Sequence, residues 1–366
     1  MATPPLKIAI LHYQPRGEPE DAVVGQIAQA LRDNGHHPVA VGVDESVRDI
    51  LDQIRGCKAD LVFNICETFA DDYRMEVNVA ALLEMARVKY TGSGTAGLLL
   101  AQDKILTKQL LLYHGVLTPK FATFDGPSFQ TNGNLTFPLI VKPAKSDASM
   151  GLEIVKDWEA LVGKVRDIRT EFDDDALAEE YIEGRELYVG VIGDAARPEI
   201  LPIVELDFGA KWDKNRPQIA CRDVKFGPET EGSPRLRIAE VSDELRGRVE
   251  RAALIAYRAL KLRDYARIDF RVSARTNDPF VLEVNPNPYL EKTSELALGA
   301  KQRGIGFTQL IGRIVDSAAQ RYKLNRKAGE AKATGTGARA EATASPEPER
   351  SHGEETLPVP ETVTVH

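Results

Sequence analysis

The first ninety residues alternate short apolar runs with helical stripes, and this alternation constrains the fold more than any other feature. Three apolar runs predict buried strands, at residues 6–11, 38–43 and 60–65. Three further segments carry apolar residues at helical spacing, at residues 21–34, 47–54 and 75–86. Strands that alternate with helices of this length predict a parallel, doubly wound sheet.

The pattern changes after residue 116, where strands dominate and fewer helices interrupt them. An α+β arrangement is predicted there, with amphipathic helices at residues 158–172, 242–260 and 307–322. The last forty residues are rich in Ala, Thr, Glu, Pro and Gly, so they cannot bury enough surface to order and are predicted to be disordered. The predicted segments are an N-terminal domain 1–103, a central domain 104–186, a third domain 187–325 and a tail 326–366.

Charge and composition exclude several classes of function. The 366 residues carry a formal net charge of -8, which disfavours nucleic acid and anionic membranes as partners but leaves a small anionic ligand possible. The three cysteines form no CxxC pair, and the N-terminal apolar run is too short for a signal segment or membrane span. We therefore expect a cytoplasmic protein.

Residues 267–287, RIDFRVSARTNDPFVLEVNPN, hold the most informative polar pattern. Arg267 and Asp269 share one strand face, and Glu283 and Asn285 share a face of the next strand. If the strands pair, Asp269, Glu283 and Asn285 converge as oxygen ligands that suit Mg²⁺, with Mn²⁺ as an alternative ion. Two polar outer faces on edge strands remain the alternative.

Three other segments carry candidate phosphate and nucleotide contacts. Lys142 ends an apolar strand before the small polar loop that contains Ser149, where backbone N–H groups and a lysine can hold phosphates. Glu179 and Tyr181 alternate in EEYIEGRE, and Lys104 lies on a helix at the first domain junction. The alternatives are a plain hairpin turn, a solvated acidic face and a solvated surface lysine.

These segments, in this order, resemble the ATP-grasp superfamily, and within it the D-alanine–D-alanine ligases, from about residue 6 to 322. The likeness lies in KYTGSGTAGLLLAQDKILTKQLLLYHGVLTPKF, FPLIVKPAKSDASMG, EEYIEGREL and YARIDFRV…FVLEVNPNP. It implies an ATP-grasp fold preceded by the doubly wound domain, and a ligase that joins a small carboxylate to an amine through an acyl phosphate.

The resemblance also implies a role for individual residues. It assigns Lys104 and Lys142 to ATP phosphates, and either Arg222 or Lys225 to a mobile phosphate-contacting loop. Adenine would be held at Glu179, Tyr181 and Ile182, and ribose at Glu186. The Mg²⁺ ligands would be Asp269, Glu283 and Asn285, and Arg267 would stabilise the charge of the tetrahedral intermediate.

The sequence departs from this family where the family binds its amino acids. The Glu-Val-Ser motif of the first domain has no match, and Cys66-Glu67-Thr68 replaces a His-Gly segment. A serine of the phosphate loop is Ala148, and Asn-Thr-Ser-Pro-Gly-Met is replaced by residues 285–290, NPNPYL. Glu67, Asn287 and Tyr289 are therefore the candidate substrate contacts.

Several alternatives stay open at this point. The chain is predicted to be an enzyme that uses two small-molecule substrates and ATP, with a homodimer as a further possibility. It could instead be a genuine D-alanine–D-alanine ligase, a non-catalytic ATP-binding regulatory module or an unrelated α/β protein. Cys66 and His12 could also be imagined as a thiol nucleophile pair, although a packed cysteine is the common outcome.

Overall fold

The computed structural model describes residues 3–125, 128–146, 149–213, 216–221, 224 and 233–324. All of these belong to one unit that spans Met1–Asn325. The tail 326–366, predicted to be disordered, lies outside the described residues.

The first sheet is parallel and consists of β1 (Lys7–Tyr13), β2 (His37–Val43) and β3 (Leu61–Asn64), in the order β2-β1-β3. Successive strand residues point to opposite faces. Ile8 and Ile10 enter one apolar cluster while Ala9 and Leu11 enter another, and all four are fully buried. Both faces of the sheet are therefore covered, as the sequence pattern predicts for a doubly wound sheet.

Five helices follow or separate these strands: α1 (Ala22–Asp33), α2 (Val47–Cys57), α3 (Glu76–Met85), α4 (Thr95–Gln102) and α5 (Lys104–Tyr113). The predicted break at Asp103 is confirmed. The Asp103 carboxylate accepts the N–H groups of Ile105 and Leu106, so it caps α5 and sets Lys104 at the first position of that helix.

The second sheet is antiparallel, with the order β5-β4-β8-β6-β7. Its strands are β4 (Phe121–Asp125), β5 (Ser128–Thr131), β6 (Leu139–Pro143), β7 (Glu153–Val155) and β8 (Ala176–Glu180). Helix α6 (Trp158–Glu171) covers one face through Leu161 and Ile168. The sequence pattern missed β4 and β5. Lys142 and Glu179 lie on the adjacent strands β6 and β8.

The third sheet has the order β12-β11-β9-β13-β14, with β10 on β9. Its strands are β9 (Gly184–Gly193), β10 (Glu199–Ile200), β11 (Val204–Asp207), β12 (Arg235–Ile238), β13 (Asp264–Ser273) and β14 (Pro279–Asn285). Gly184, at φ +150°, begins β9 so close to β13 that a Cβ would lie 1.9 Å from the Val272 carbonyl oxygen. Only glycine fits there, and it brings the end of the second sheet against β13.

After β12, the described residues form three helices: α7 (Asp243–Ala259), α8 (Glu295–Gln302) and α9 (Phe307–Arg321). Helix α9 packs against α1 through a cluster that includes Ile27, Leu310 and Ile314. The C-terminal helix thus completes the core of the N-terminal sheet. The predicted boundaries at residues 103 and 186 remain predictions.

Candidate active site

The site centres on the hairpin formed by β13 and β14. These strands are antiparallel, with Arg267 opposite Asn285 and Asp269 opposite Glu283. The Asn285 side-chain amide donates to Asp269 Oδ2 at 3.2 Å. The predicted pairing of the two strands is therefore present. It brings the carboxylates of Asp269 and Glu283 and the amide of Asn285 together on one face of the sheet. Their role as metal ligands stays a prediction.

Arg267 is held among carboxylates beside this cluster. Its Nε and Nη2 donate to the two oxygens of Asp269 at 2.7 and 2.9 Å, and its Nη1 lies 3.3 Å from Glu295 Oε2. The guanidinium also lies over the Tyr188 ring, 5.4 Å from the centroid. Burial opposes the charge, but Asp269 and Glu295 outweigh it and raise the pKa of Arg267 well above its ordinary value. The group is a fixed cation.

A buried ion cluster lies across from the hairpin. Glu179 pairs through Oε1 with Lys142 at 2.6 Å and through Oε2 with Lys108 at 2.7 Å. Although burial opposes ionisation, the two lysines lower the pKa of Glu179. Lys104 is also buried, and its Nζ donates to the carbonyl oxygen of Ser146. Lys104 and Lys108, both on α5, are therefore buried, and the alternative that Lys104 is a solvated surface lysine is wrong.

Most of the predicted nucleotide residues line one cavity, together with two of the predicted metal ligands. Lys142, Ser149, Glu179, Tyr181, Ile182, Glu186, Asp269 and Glu283 all contribute to its wall. The Ser149 hydroxyl donates to the carbonyl oxygen of Ala220 at 2.9 Å. The Glu186 carboxylate accepts from Tyr188 Oη at 2.9 Å and from the Ala220 N–H at 3.2 Å. The candidates for adenine, ribose and phosphate contacts are thus brought together.

Arg271 is a wall residue of this cavity that the sequence analysis missed. It donates to the Ile182 carbonyl at 2.8 Å, to Glu186 Oε2 at 3.0 Å and to Tyr181 Oη at 3.2 Å. The signal was available, because Arg267, Asp269 and Arg271 alternate on one strand face. Arg271 fixes the segment between the two sheets, and so orients three of the four candidates for adenine and ribose binding, Tyr181, Ile182 and Glu186.

A second cavity, of about 740 Å³, adjoins the first. Lys104, Arg267, Asn285 and the three candidate substrate residues line it, and Glu283 borders both cavities. The proposed phosphate and metal residues therefore lie at the border of two compartments, one lined by the adenine and ribose candidates and one by the substrate candidates.

The comparisons with known proteins identify the family. A model described as D-ala D-ala ligase C-terminus matches residues 114–316, more than half of the chain. The chain belongs to the D-alanine–D-alanine ligase family. It is therefore an ATP-dependent ligase, and the expected ATP-grasp fold is confirmed by solved structures of family members.

Relatives match over most of this ligase. It is 33% identical over 313 residues to an uncharacterized protein, y4sG, of Sinorhizobium fredii, covering 84% of this chain and 90% of that protein. It is 32% identical over 291 residues to a D-alanine–D-alanine ligase of Aquifex aeolicus, covering 79% and 92%. The crystal structure of a D-alanine–D-alanine ligase of Bacillus anthracis complexed with ATP matches with a TM-score of 0.71 at 24% identity, covering 88% and 99%.

Two candidate substrate residues of this ligase also join distant parts of the chain. Asn287 Oδ1 accepts the Ser93 N–H at 2.8 Å, and its Nδ2 donates to Glu76 Oε1 at 3.1 Å. A Cβ at Gly92, where φ is +89°, would lie 2.6 Å from Asn287 Oδ1. The Tyr289 hydroxyl lies 2.8 and 2.9 Å from the two carboxylate oxygens of Asp21. The segment 285–290, which departs from the family pattern, is thus hydrogen-bonded to the N-terminal domain through Asn287 and Tyr289.

The remaining sequence candidates are Arg222, Lys225 and Ala148, and the pair of Cys66 with His12. Arg222, Lys225 and Ala148 lie outside the described residues. Burial raises the pKa of the Cys66 thiol to about 12 and lowers that of His12, whose Nε2 lies 3.6 Å from Glu20. The buried Cys66 Sγ donates to the Thr68 carbonyl oxygen at 3.2 Å, which is the environment of a packed cysteine rather than of a thiol nucleophile.

Two features are absent from the described part of the chain. None of its helices is long and apolar enough to cross a membrane. Within the same residues, no group of three or more His, Cys, Asp or Glu side chains is arranged to hold a metal ion. The hairpin cluster differs from such a group because one of its three members is an amide.

Proposed function

We propose that this ligase activates a small carboxylate with ATP and joins it to an amine, and that its substrate pair differs from two molecules of D-alanine. One observation carries the proposal. The polar groups of the hairpin, Lys142 of β6 and Lys104 of α5 line two adjoining cavities, and Glu283 is common to both.

The hairpin residues fit a magnesium ion. Mg²⁺ uses one or two carboxylates and completes its coordination with phosphate oxygens and water. Asp269, Glu283 and Asn285 offer two carboxylates and an amide oxygen, and no nitrogen or sulfur ligand that would favour zinc. Mg²⁺ bound there would neutralise phosphate charge during phosphoryl transfer. Mn²⁺ fits the same donor set.

The chain's own residues would provide the rest of the catalysis. Lys104 and Lys142 would contact the phosphates of ATP while an oxygen of the substrate carboxylate attacks the γ-phosphorus and ADP leaves. The amine nitrogen would then attack the acyl carbon, and phosphate and a proton would leave. Arg267, already fixed in the wall of the larger cavity, would stabilise the oxyanion of that step.

The candidate substrate residues of the larger cavity support a substrate pair other than two molecules of D-alanine. Asn287 stands where the family has the serine that helps bind the second substrate's carboxylate, and both ends of its amide already have partners. Glu67 and Tyr289 add a carboxylate and a phenol to the wall of the same cavity. A D-alanine–D-alanine ligase with altered contacts is the second candidate, favoured by the names of the Aquifex and Bacillus proteins.

A screen for ADP release tests the proposal. The full chain would be incubated with ATP, Mg²⁺ and pairs of acids and amines that include D-alanine, with Asp269→Ala as the control for contaminating ATPases. Carboxylate-dependent ADP release and a product whose mass is that of acid plus amine minus water are expected. A D-alanine dipeptide would support the second candidate. ATP binding without turnover on any pair would favour a regulatory module and reject the proposal.

Three expectations accompany this proposal. Phosphate contact by Arg222 or Lys225, assembly as a homodimer and a cytoplasmic location remain predictions. Each has its own measurement: ATP affinity of the Arg222→Ala and Lys225→Ala variants, sedimentation of the purified chain, and fractionation of the cells that make it.

A further inference from the structure

Lys108 is a buried cation that the proposed mechanism does not use. It lies on α5, one turn after Lys104, yet its side chain is only 1% exposed. Neither of the two cavities described above has Lys108 in its wall. Its Nζ lies 2.7 Å from Glu179 Oε2 and donates to Thr118 Oγ1 at 2.8 Å. A buried lysine away from the reacting groups needs another explanation.

Its partner Glu179 is shared with a lysine that does reach a cavity. Lys142 lines the nucleotide cavity and lies 2.6 Å from the other oxygen of Glu179. If Lys142 turns to a phosphate of ATP, it must leave or weaken this contact. The carboxylate of Glu179, which is 1% exposed, would then depend on Lys108 as its counterion. An uncompensated buried carboxylate is strongly unfavourable.

We propose that Lys108 is a positioning residue for ATP binding: it remains the counterion of Glu179 and so releases Lys142 to the nucleotide. This inference rests on the proposed function, because it takes Lys142 as a phosphate ligand. Thr118, in the segment between α5 and β4, accepts a hydrogen bond from Lys108, so it would hold the pair of Lys108 with Glu179 in place while Lys142 moves to the nucleotide. Of the two lysines paired with Glu179, Lys108 would stay in place, and Lys142 would exchange Glu179 for a phosphate of ATP.

The inference predicts an energetic coupling between Lys108 and Glu179 that appears in ATP affinity. In Lys108→Met, Lys142 is the remaining counterion of Glu179. If Lys142 then moves to a phosphate of ATP, the buried carboxylate of Glu179 is left uncompensated. We expect the Kd for ATP to rise by about tenfold or more. In the Glu179→Gln background no carboxylate needs compensation, so the same replacement should change the Kd by less than about threefold.

Calorimetric titration of ATP with Mg²⁺ into the wild type, both single variants and the double variant measures this coupling. Lys120→Met is the matched control, because Lys120 is an exposed lysine whose Nζ donates to the backbone carbonyl of Asn134 at 3.4 Å. Lys108→Arg, which keeps the positive charge, should bind ATP within about threefold of wild type. Thermal midpoints recorded alongside separate a loss of stability from a loss of affinity.

The outcomes distinguish this inference from the proposed function. A merely structural Lys108 would lower the thermal midpoint but leave the Kd unchanged, or change it equally in both backgrounds, and either result overturns the inference. If Lys108→Met does not fold, Lys108→Gln, which is neutral but retains a hydrogen-bonding end, is held to the same expectation. Failure of the wild type to bind ATP would instead reject the proposed function.

Discussion

The guanidinium of Arg267 holds both carboxylate oxygens of Asp269, at 2.7 and 2.9 Å, along one face of β13. The two residues are predicted to have different partners during the reaction, a metal ion for the carboxylate and an oxyanion for the guanidinium. Without nucleotide they neutralise each other, which keeps two buried charges compensated until ATP and substrate enter.

Replacement of Arg267 by lysine should impair the chemical step more than nucleotide binding. Lysine keeps a positive charge but loses the planar fork that fits Asp269 and a developing oxyanion. We expect kcat to fall by about 10²- to 10³-fold, with the KM for ATP changed by less than about threefold. Steady-state kinetics measure this, with Arg246→Lys on an exposed face of α7 as the control. An unchanged kcat would exclude Arg267 from catalysis.

Replacement of Glu283 by glutamine should abolish metal-dependent turnover. The amide keeps the size of the side chain but removes a negative charge from the proposed ion site. A loss of about a hundredfold or more in ADP release is expected, because several kcal/mol of charge stabilisation depend on the ion. Glu159→Gln, at an exposed position of α6, is the control. Turnover equal to wild type at every Mg²⁺ concentration would remove Glu283 from the ligand set.

The convergence of these groups could be predicted from sequence because it depends on local patterns. Period-two alternation in two consecutive strands placed Asp269, Glu283 and Asn285 on one face, and the hairpin register then followed. The burial of Lys108 could not be predicted, because a lysine on a helix is usually exposed and its partner Glu179 lies 71 positions away in the numbering.

Contacts between distant segments were likewise beyond the reach of local patterns. Asn287 meets Ser93 across 194 positions of the chain, and Tyr289 meets Asp21 across 268. No periodicity relates such residues, since the packing of whole domains brings them together. The same limit explains why the packing of α9 on the first sheet emerged only from the structure.

Replacement of Asn287 by alanine should destabilise the chain. The Ser93 N–H is buried and would lose its acceptor, and Glu76 would lose a donor. The free energy of unfolding should fall by about 1–3 kcal/mol, which is the usual cost of leaving a buried polar group unpaired. Urea denaturation measures it, and the exposed Asn134→Ala is the control. Equal midpoints for Asn287→Ala and wild type would contradict this role.

His36 should make the stability of the fold depend on pH. Its Nδ1 accepts the Leu6 N–H at 3.2 Å, which requires an unprotonated nitrogen. Burial lowers the pKa of His36 below 6.5. Since the unfolded state then binds the proton more tightly, this contribution to stability is complete above pH 6.5 and is lost as pH falls through the folded pKa.

Unfolding free energies measured from above pH 6.5 down through the folded pKa of His36 check whether the stability falls on acidification. Wild type should lose stability below pH 6.5, and His36→Gln should have a shallower slope there. His114→Gln, at an exposed histidine elsewhere in the chain, should behave like wild type. His12, also buried with a lowered pKa, adds a similar contribution that persists in both variants. A stability that rises on acidification would contradict this interpretation of His36.

The position of Glu283 on the border of both cavities has a consequence for inhibitor design. A compound that tethers a purine mimic to an acid mimic must pass this carboxylate, so a neutral or cationic linker should be tolerated there and an anionic one rejected. Potency across a series of such linkers would report the distance between the two compartments before either natural substrate is known.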